Sequence, residues 1–324
     1  IRGFFEQYAE SVTEARGLDR WTRAVREDIP DYLTWWRGKL DKGLVGRYWF
    51  IDSENAWFDS EQHLIMPGAS VNTVNAHLYT GPPFEGRPNS AVGEIRIHPD
   101  MVTVNGVGWL PVNDCPQFEY EGRTLANTWC GLSVEPVEGE PILWLELMHH
   151  IYGEHADLVI DHMAFSLQYP AKKIRWQVMT FGKPRTGKTA SVRPLERIWG
   201  KGCHTVDGDA LRAGWGDYFY QTKVLIAEEV MADGSVRFFN QLKTKLANDG
   251  VETLNIKGAG VAYQQNLYAI YMFSNEPGAL TFSRDEDKLL VVKAPDAPCW
   301  EDFGPYYAAV DEGELAGQVL GYLL

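Results

Sequence analysis

Residues 182–189 read G-K-P-R-T-G-K-T, and few strings of this length restrict a fold so strongly. Two glycines followed by Lys188 and Thr189 at this spacing make the phosphate-binding loop of nucleotide hydrolases when a buried strand enters the loop and a helix leaves it. Both flanks are present. "IRWQVMTFG" is an apolar run that ends at Gly182, and "TASVRPLERIWG" has a helical period closed by Gly200. In such a loop Gly182, Lys183, Pro184, Arg185, Thr186, Gly187, Lys188, Thr189 and Ala190 surround the phosphates. The glycines let successive N–H groups converge on one anion, and the helix N-terminus adds partial positive charge. Lys188 is expected to reach the outer phosphates and Thr189 to ligate Mg2+, which makes ATP and Mg2+ the expected cofactors.

Nucleotide hydrolysis also requires a carboxylate at the tip of a neighbouring strand. "VLIAEE" supplies Glu228 and Glu229 after four apolar residues, and Glu228 follows Lys188 by 40 positions, room for a helix and a strand between. Adjacent strand residues point to opposite faces, so the two carboxylates divide the work. Glu228 is expected to hold the metal and Glu229 to polarise the attacking water. A third apolar stretch, "NLYAIYMFSNEP", ends in Ser274 and Asn275, and Asn275 is placed to sense the terminal phosphate or orient water. Continuous apolar strands alternating with helices, "SVRFFNQLKTKLAN" among them, indicate a parallel sheet covered on both faces.

The rest of the chain is less specific. Residues 1–42 have helical periodicity interrupted by Pro30, and 47–127 change to short strands separated by turn formers. "RYWFID", "AVGEIRIHP" and "MVTVNGVGWLPV" read as strands, with Asn105-Gly106 as a tight-turn signal. "SVEPVEGEP", 133–141, reads as a connector. Leu147, Ile151, Leu158, His162 and Phe165 fit one helical stripe broken at Gly153, and "YYAAVDEGELAGQVLGYLL" reads as a closing helix. The expected organisation is a mixed α+β accessory region over 1–140, a helical pair over 141–170, the ATPase core over 171–295 and a helical tail over 296–324. His149, His150, His155 and His162 lack metal-pair spacing on one helix face and have no accompanying cysteine, so they read as packing residues. Trp35-Trp36 and the other tryptophans read as core rather than as base-stacking platforms.

Net charge is −14, but unevenly spread: residues 171–275 carry 15 Lys+Arg against 9 Asp+Glu, while both flanks are acidic. A basic module in acidic surroundings can still hold a polyanion. The cysteines Cys115, Cys130, Cys203 and Cys299 form no C-x-x-C pair, consistent with reduced thiols in a cytoplasmic setting. No run of about 18 apolar residues occurs, so no transmembrane helix and no membrane partner are expected. The chain begins with Ile1 rather than Met, which suggests a piece of a longer protein.

The three motifs span only 93 positions, from Gly182 to Asn275. This compact set, "GKPRTGKT", "VLIAEE", "FFNQLKTKLANDGVETLNIKG" and "YMFSNEP", resembles the superfamily 3 helicases, AAA+-like ATPases of small viruses and phages. It is most similar to the helicase module of phage and plasmid primase–helicase or primase–polymerase proteins. The resemblance extends weakly upstream, through "GRTLANTWCG" and "YPAKKIRWQVMTFG". It implies an α/β P-loop core with a parallel central sheet flanked by helices, preceded by a helical segment and a smaller mixed α+β domain. It further implies ATP hydrolysis coupled to movement on single-stranded DNA in a homo-hexameric ring, with a primase or polymerase domain preceding this segment in a phage- or plasmid-encoded protein of the host cytoplasm. A β-hairpin in that family contacts single-stranded DNA, which by carry-over makes Lys257, and Lys245 or Lys243, the DNA-contact candidates. Two departures stand out. Glu228 occupies a position where many such ATPases carry Asp, and the arginine that a neighbouring subunit usually supplies has only Arg284 as its counterpart, with Lys288 near it and Arg237 as a substitute. A P-loop kinase would need an arginine-rich lid and an acceptor site that the sequence does not offer. A ring-assembly or initiator module that binds ATP without unwinding DNA remains compatible with the same motifs.

Overall fold

The computed structural model describes residues 43–79, 90–113, 115–207, 217–229, 250–256, 260–276 and 288–324. They fall into two compact units, one comprising the described residues up to Val107 together with Pro116–Ala126, the other Gly108–Cys115 and Asn127–Leu324.

The first unit begins with a short helix, α1 (Leu44–Arg47), and a hairpin of β1 (Tyr48–Ile51) and β2 (Ala56–Asp59). β3 (Leu64–Met66) extends it beyond β2, and β4 (Thr103–Val104) pairs parallel with β1 on the other side. Helices α2 (Gly68–Val74) and α3 (Ala91–Ile97) place Val71, Ala91 and Ile95 in a core with Tyr48 and Trp57. The Asp59 carboxylate is fully buried and accepts from the Arg47 guanidinium at 2.7 and 3.0 Å and from the Glu61 and Gln62 amides, so its charge is compensated.

Two expectations for this region are corrected. "AVGEIRIHP" is helical, because Ser90 Oγ caps Gly93 N at 3.2 Å and the buried pair Ala91 and Ile95 recurs at i, i+4. Asn105-Gly106 is no hairpin turn either. It separates β4 from β5 (Gly106–Gly108), which lie in different sheets, and Asn105 instead ties to Thr124 in both directions. The hairpin here is formed by β6 (Gln117–Tyr120) and β7 (Arg123–Asn127) around Gly122.

The second unit is built on a five-stranded sheet, all parallel, of β8 (Gln177–Phe181), β9 (Cys203–Asp207), β10 (Val224–Glu228), β13 (Ala269–Ser274) and β14 (Leu289–Lys293). Its order is β14-β8-β13-β10-β9. The chain runs from β8 to the far edge, returns strand by strand, and then crosses to the other side of β8. β8, β10 and β13 were legible as apolar runs, whereas the edge strands β9 and β14 were not.

Strand alternation sends Val178, Ile226, Tyr271 and Phe273 to one face, and Met179, Leu225, Ala227, Ile270 and Met272 to the other. The first face is covered by α4 (Ile142–Tyr152), α5 (Ala156–Gln168), α6 (Arg193–Trp199), α7 (Gly304–Asp311) and α8 (Glu314–Leu323). The opposite face meets Phe219, Tyr268 and Leu254, the last from a separate hairpin of β11 (Val251–Ile256) and β12 (Gly260–Gln265). Among the described residues, helices cover one face and a hairpin packs on the other, an α/β arrangement; the helix expected over 235–248 lies outside the described residues.

Gly153 breaks α4 from α5 as expected, at φ 54, but the 3-10 turn Gly153–His155 resets the helical phase. Leu158 and Phe165 therefore face outward, and Val159, Met163 and Leu167 take the buried stripe beside His162. His162 is buried, with its ring nitrogens on the Tyr271 hydroxyl and the Trp176 carbonyl, and burial pushes its pKa down to about 4. The closing helix is two helices, α7 and α8, separated at Gly313, which has φ 90. The 133–141 stretch lies along α8, where Val137 N donates to Gly317 O, and Gly317 and Gly321 leave the space that its backbone occupies. No helix among the described residues is long and apolar enough to cross a membrane.

Lys223, at the start of β10, is fully buried, and its ammonium donates to the carbonyls of Pro170 at 2.9 Å and Lys172 at 3.2 Å. Burial pushes its pKa down to about 7 from 10.5. The unfolded chain thus holds this proton across a window where the folded chain releases it, and stability rises with pH from about 7 toward 10. Denaturant unfolding between pH 7 and 10 is expected to show a rise of a few kcal/mol (~1.4 kcal/mol per pH unit for a full proton) that Lys223→Met largely abolishes. An unchanged slope in the variant would remove Lys223 as its source.

Candidate functional site

In a parallel sheet a ligand crevice forms beyond the carboxyl ends of the strands, where the order of connection reverses. Here that point is β8, between β14 and β13. A cavity of about 240 Å³ lies at this end of the sheet, lined by Pro184–Ala190, Glu228, Glu229, Phe273, Ser274, Asn275 and Tyr307. Of the residues singled out from the glycine loop, Pro184–Ala190 share this cavity with the acidic pair and the Ser-Asn strand end, while Gly182 and Lys183 lie outside its lining. They lie on adjacent strands, since β13 pairs with both β8 and β10.

The loop conformation depends on its glycines. Gly182 has φ 154, and a Cβ there would lie 3.2 Å from the Ala294 carbonyl oxygen, in a backbone region that L side chains rarely adopt. Gly187 has φ 95, and its Cβ would lie 2.7 Å from the Phe303 ring and 3.1 Å from Leu147 Cδ1. Arg185 adopts φ 64 without being glycine, so the tip of the loop carries backbone strain between the two. Thr186 Oγ1 donates to Lys183 O at 3.1 Å, and the exposed Lys183 ammonium pairs with Asp296 at 3.0 Å, which holds that carboxyl below its ordinary pKa.

Lys188 is buried, and its Nζ donates to Gly182 O at 2.9 Å, Lys183 O at 2.5 Å and Asn275 Oδ1 at 3.3 Å. One cation thereby bridges the loop and the tip of β13. Burial lowers its pKa from the ordinary lysine value. Gly182 N also donates to Ser274 O at 3.2 Å, a second tie between loop and strand end. The turn after the loop, Thr189–Val192, is held from above by Trp144 Nε1 donating to Ser191 O at 2.8 Å and Tyr306 OH donating to Ala190 O at 2.7 Å. Tyr152 OH meets Ser191 Oγ at 3.0 Å, and Ser191 Oγ donates to Lys188 O at 2.6 Å.

Glu228 is half-buried as the last residue of β10, and Glu229 is exposed just beyond it. The expectation that alternation separates them meets a local exception. Glu229 has φ 53, in the left-handed region, and this bend lets both carboxylates line the cavity. The donor set fits a metal–polyphosphate ligand: curled loop backbone, one ammonium, one threonine hydroxyl, two carboxylates and an amide. Lys288 immediately precedes β14 and accepts from Gln177 N through its carbonyl, at the sheet end away from the cavity. Arg284, Arg237, Lys257, Lys245 and Lys243 lie outside the described residues. β11 and β12 are the strands that flank Lys257.

Sequence reasoning missed Tyr307, Phe303 and Phe273. The first two come from α7 and the segment before it, and nothing local in "DFGPYYAAV" marks a residue as facing a loop 120 positions earlier. No family model and no curated protein matches the chain. Among solved structures, the apo structure of the NrS-1 C terminal region (305–718) matches with TM-score 0.69 and 17% identity, over 87% of this chain and 68% of that one. The A form apo structure of the same region matches with TM-score 0.68 and 18% identity, over 88% and 68%. At these identities the likeness establishes a shared fold.

Gly187→Ala is expected to destabilise the unit by about 1–3 kcal/mol in denaturant unfolding, from the left-handed backbone and the contact with Phe303 together. Wild-type stability in this variant would contradict the described packing of Phe303 on the loop.

Proposed function

We propose that the second unit is a P-loop, AAA+-like ATPase that drives movement on single-stranded DNA, the helicase module of a phage-type replication protein. The observation that supports this most is the convergence of loop residues 184–190, Glu228, Glu229 and Asn275 on one cavity at the carboxyl end of a parallel sheet. Strand pairing brings the three strand ends together, and each end carries the residue type that phosphate or metal chemistry calls for.

In this reading the loop amides and the Lys188 ammonium hold the β- and γ-phosphates of ATP. The anion offers Lys188 better partners than two carbonyls, and returns its pKa toward the ordinary value. Thr189 and Glu228 would hold Mg2+, which supplies charge neutralisation on the phosphate oxygens. Glu229, on its bent backbone, accepts a proton from the attacking water. Asn275 already touches Lys188, and so can report the presence of the terminal phosphate to β13. β13 follows the β11–β12 hairpin, whose strands flank Lys257, and runs from that hairpin to the phosphate site, which links the site to the proposed DNA contact. Lys243 and Lys245 are further DNA-contact candidates and Arg284 the candidate finger toward a neighbouring subunit in a hexameric ring.

ATP hydrolysis with and without single-stranded DNA, in wild type, Lys188→Ala and Glu229→Gln, tests the reading. Hydrolysis is expected to be stimulated by DNA and to fall by about 10²-fold or more in both variants. Turnover indifferent to DNA would replace the motor with an ATP-dependent assembly module. Full turnover in Lys188→Ala would refute the site itself.

A further inference from the structure

We infer that Tyr307 is the platform on which the base of a bound nucleoside triphosphate stacks. The inference rests on the nucleotide reading above and adds a residue that neither the motifs nor the shared fold assigns. At about 240 Å³ the cavity is smaller than the roughly 300–1,000 Å³ of pockets that enclose a whole drug-sized ligand. Phosphates fit inside it, so the base lies over its rim. Tyr307 stands on that wall with 41% of its surface exposed, whereas Phe273, the other aromatic of the lining, is 3% exposed.

Its position along the loop is also fixed. Tyr306, the preceding residue of α7, donates to Ala190 O at 2.7 Å and anchors the helix at the end of the loop, past Lys188 and Thr189. Lys188 and Thr189 address the outer phosphates, so Ala190 marks the end at which the sugar and base depart. The Tyr307 ring is braced by Phe303, with centroids 6.2 Å apart and planes at 41°, and by Tyr306 at 5.8 Å and 73°. A half-exposed aromatic held by two others at the cavity wall offers a preorganised face to a flat π-system. Stacking of this kind does not need the phenol hydroxyl, and every base supplies a face.

Equilibrium binding of ATP and of inorganic tripolyphosphate, both with Mg2+, to the full chain as wild type, Tyr307→Ala, Tyr307→Phe and Lys188→Ala tests this by calorimetry. Tyr307→Ala is expected to weaken ATP about 10-fold and leave tripolyphosphate unchanged, with Tyr307→Phe close to wild type and Lys188→Ala weakened for both ligands. If Tyr307→Ala binds ATP like wild type, or loses both ligands equally, the platform is overturned while the Lys188 result still upholds the phosphate site. If wild type binds neither ligand, or Lys188→Ala binds both normally, the nucleotide reading falls and the platform with it.

Discussion

A buried backbone carbonyl must find a donor, and the turn Thr189–Val192 meets that demand with side chains from distant parts of the chain. Trp144 reaches Ser191 O, Tyr306 reaches Ala190 O, and the fully buried Ser191 hydroxyl closes on Lys188 O while meeting Tyr152. Trp144 and Tyr152 share one face of α4, and Tyr306 belongs to α7. The aromatic bodies of these residues fill the core above the sheet, and their polar tips fix the loop below. Removing one of these donors leaves both a cavity and an unpaired acceptor. The helical layer and the phosphate-type loop therefore stand or fall together, although 141–170 and 296–324 read in sequence as separate additions.

Among the described residues two lysines are buried, with opposite surroundings. Lys223 lies at the start of β10, bonded to two carbonyls of a loop below the sheet, and nothing in its environment invites an anion. Lys188 faces the cavity and shares its bonds between the loop and Asn275. Burial lowers both pKa values. Only Lys188 lines a cavity in which a stronger partner can be received.

What the sequence disclosed follows from where each element lies. β8, β10 and β13 are central, covered on both faces, and so written as unbroken apolar runs. β9 and β14 are edges, and "CHTVD" carries the mixed pattern of a strand with one side toward solvent. Short elements in the first unit obeyed local capping more than periodicity, as Ser90 did for Ala91–Ile97. The outward turn of Leu158 and Phe165 came from three residues of 3-10 turn that no stripe count includes. Loop, acids and amide were visible because their chemistry demands fixed residue types. Tyr307 was not, since an aromatic near the C-terminus has no such signature and reaches the cavity only through tertiary packing. The left-handed backbone at Glu229 was hidden for a similar reason, because a glutamate gives no hint that its φ is positive.

The pairing of β10 with β13 has one more consequence. Val224 to Ala227 are zipped in register with Ala269 to Met272, so the 40-odd residues between them leave the sheet at the carboxyl end of β10 and return to it at the opposite end, beside Val224. The hairpin of β11 and β12 belongs to that excursion. The ends of the excursion are clamped by the backbone bonds of β10 and β13, and lengthening such an excursion costs little further chain entropy. The placement of the cavity residues at the strand ends is thereby independent of how long that excursion is.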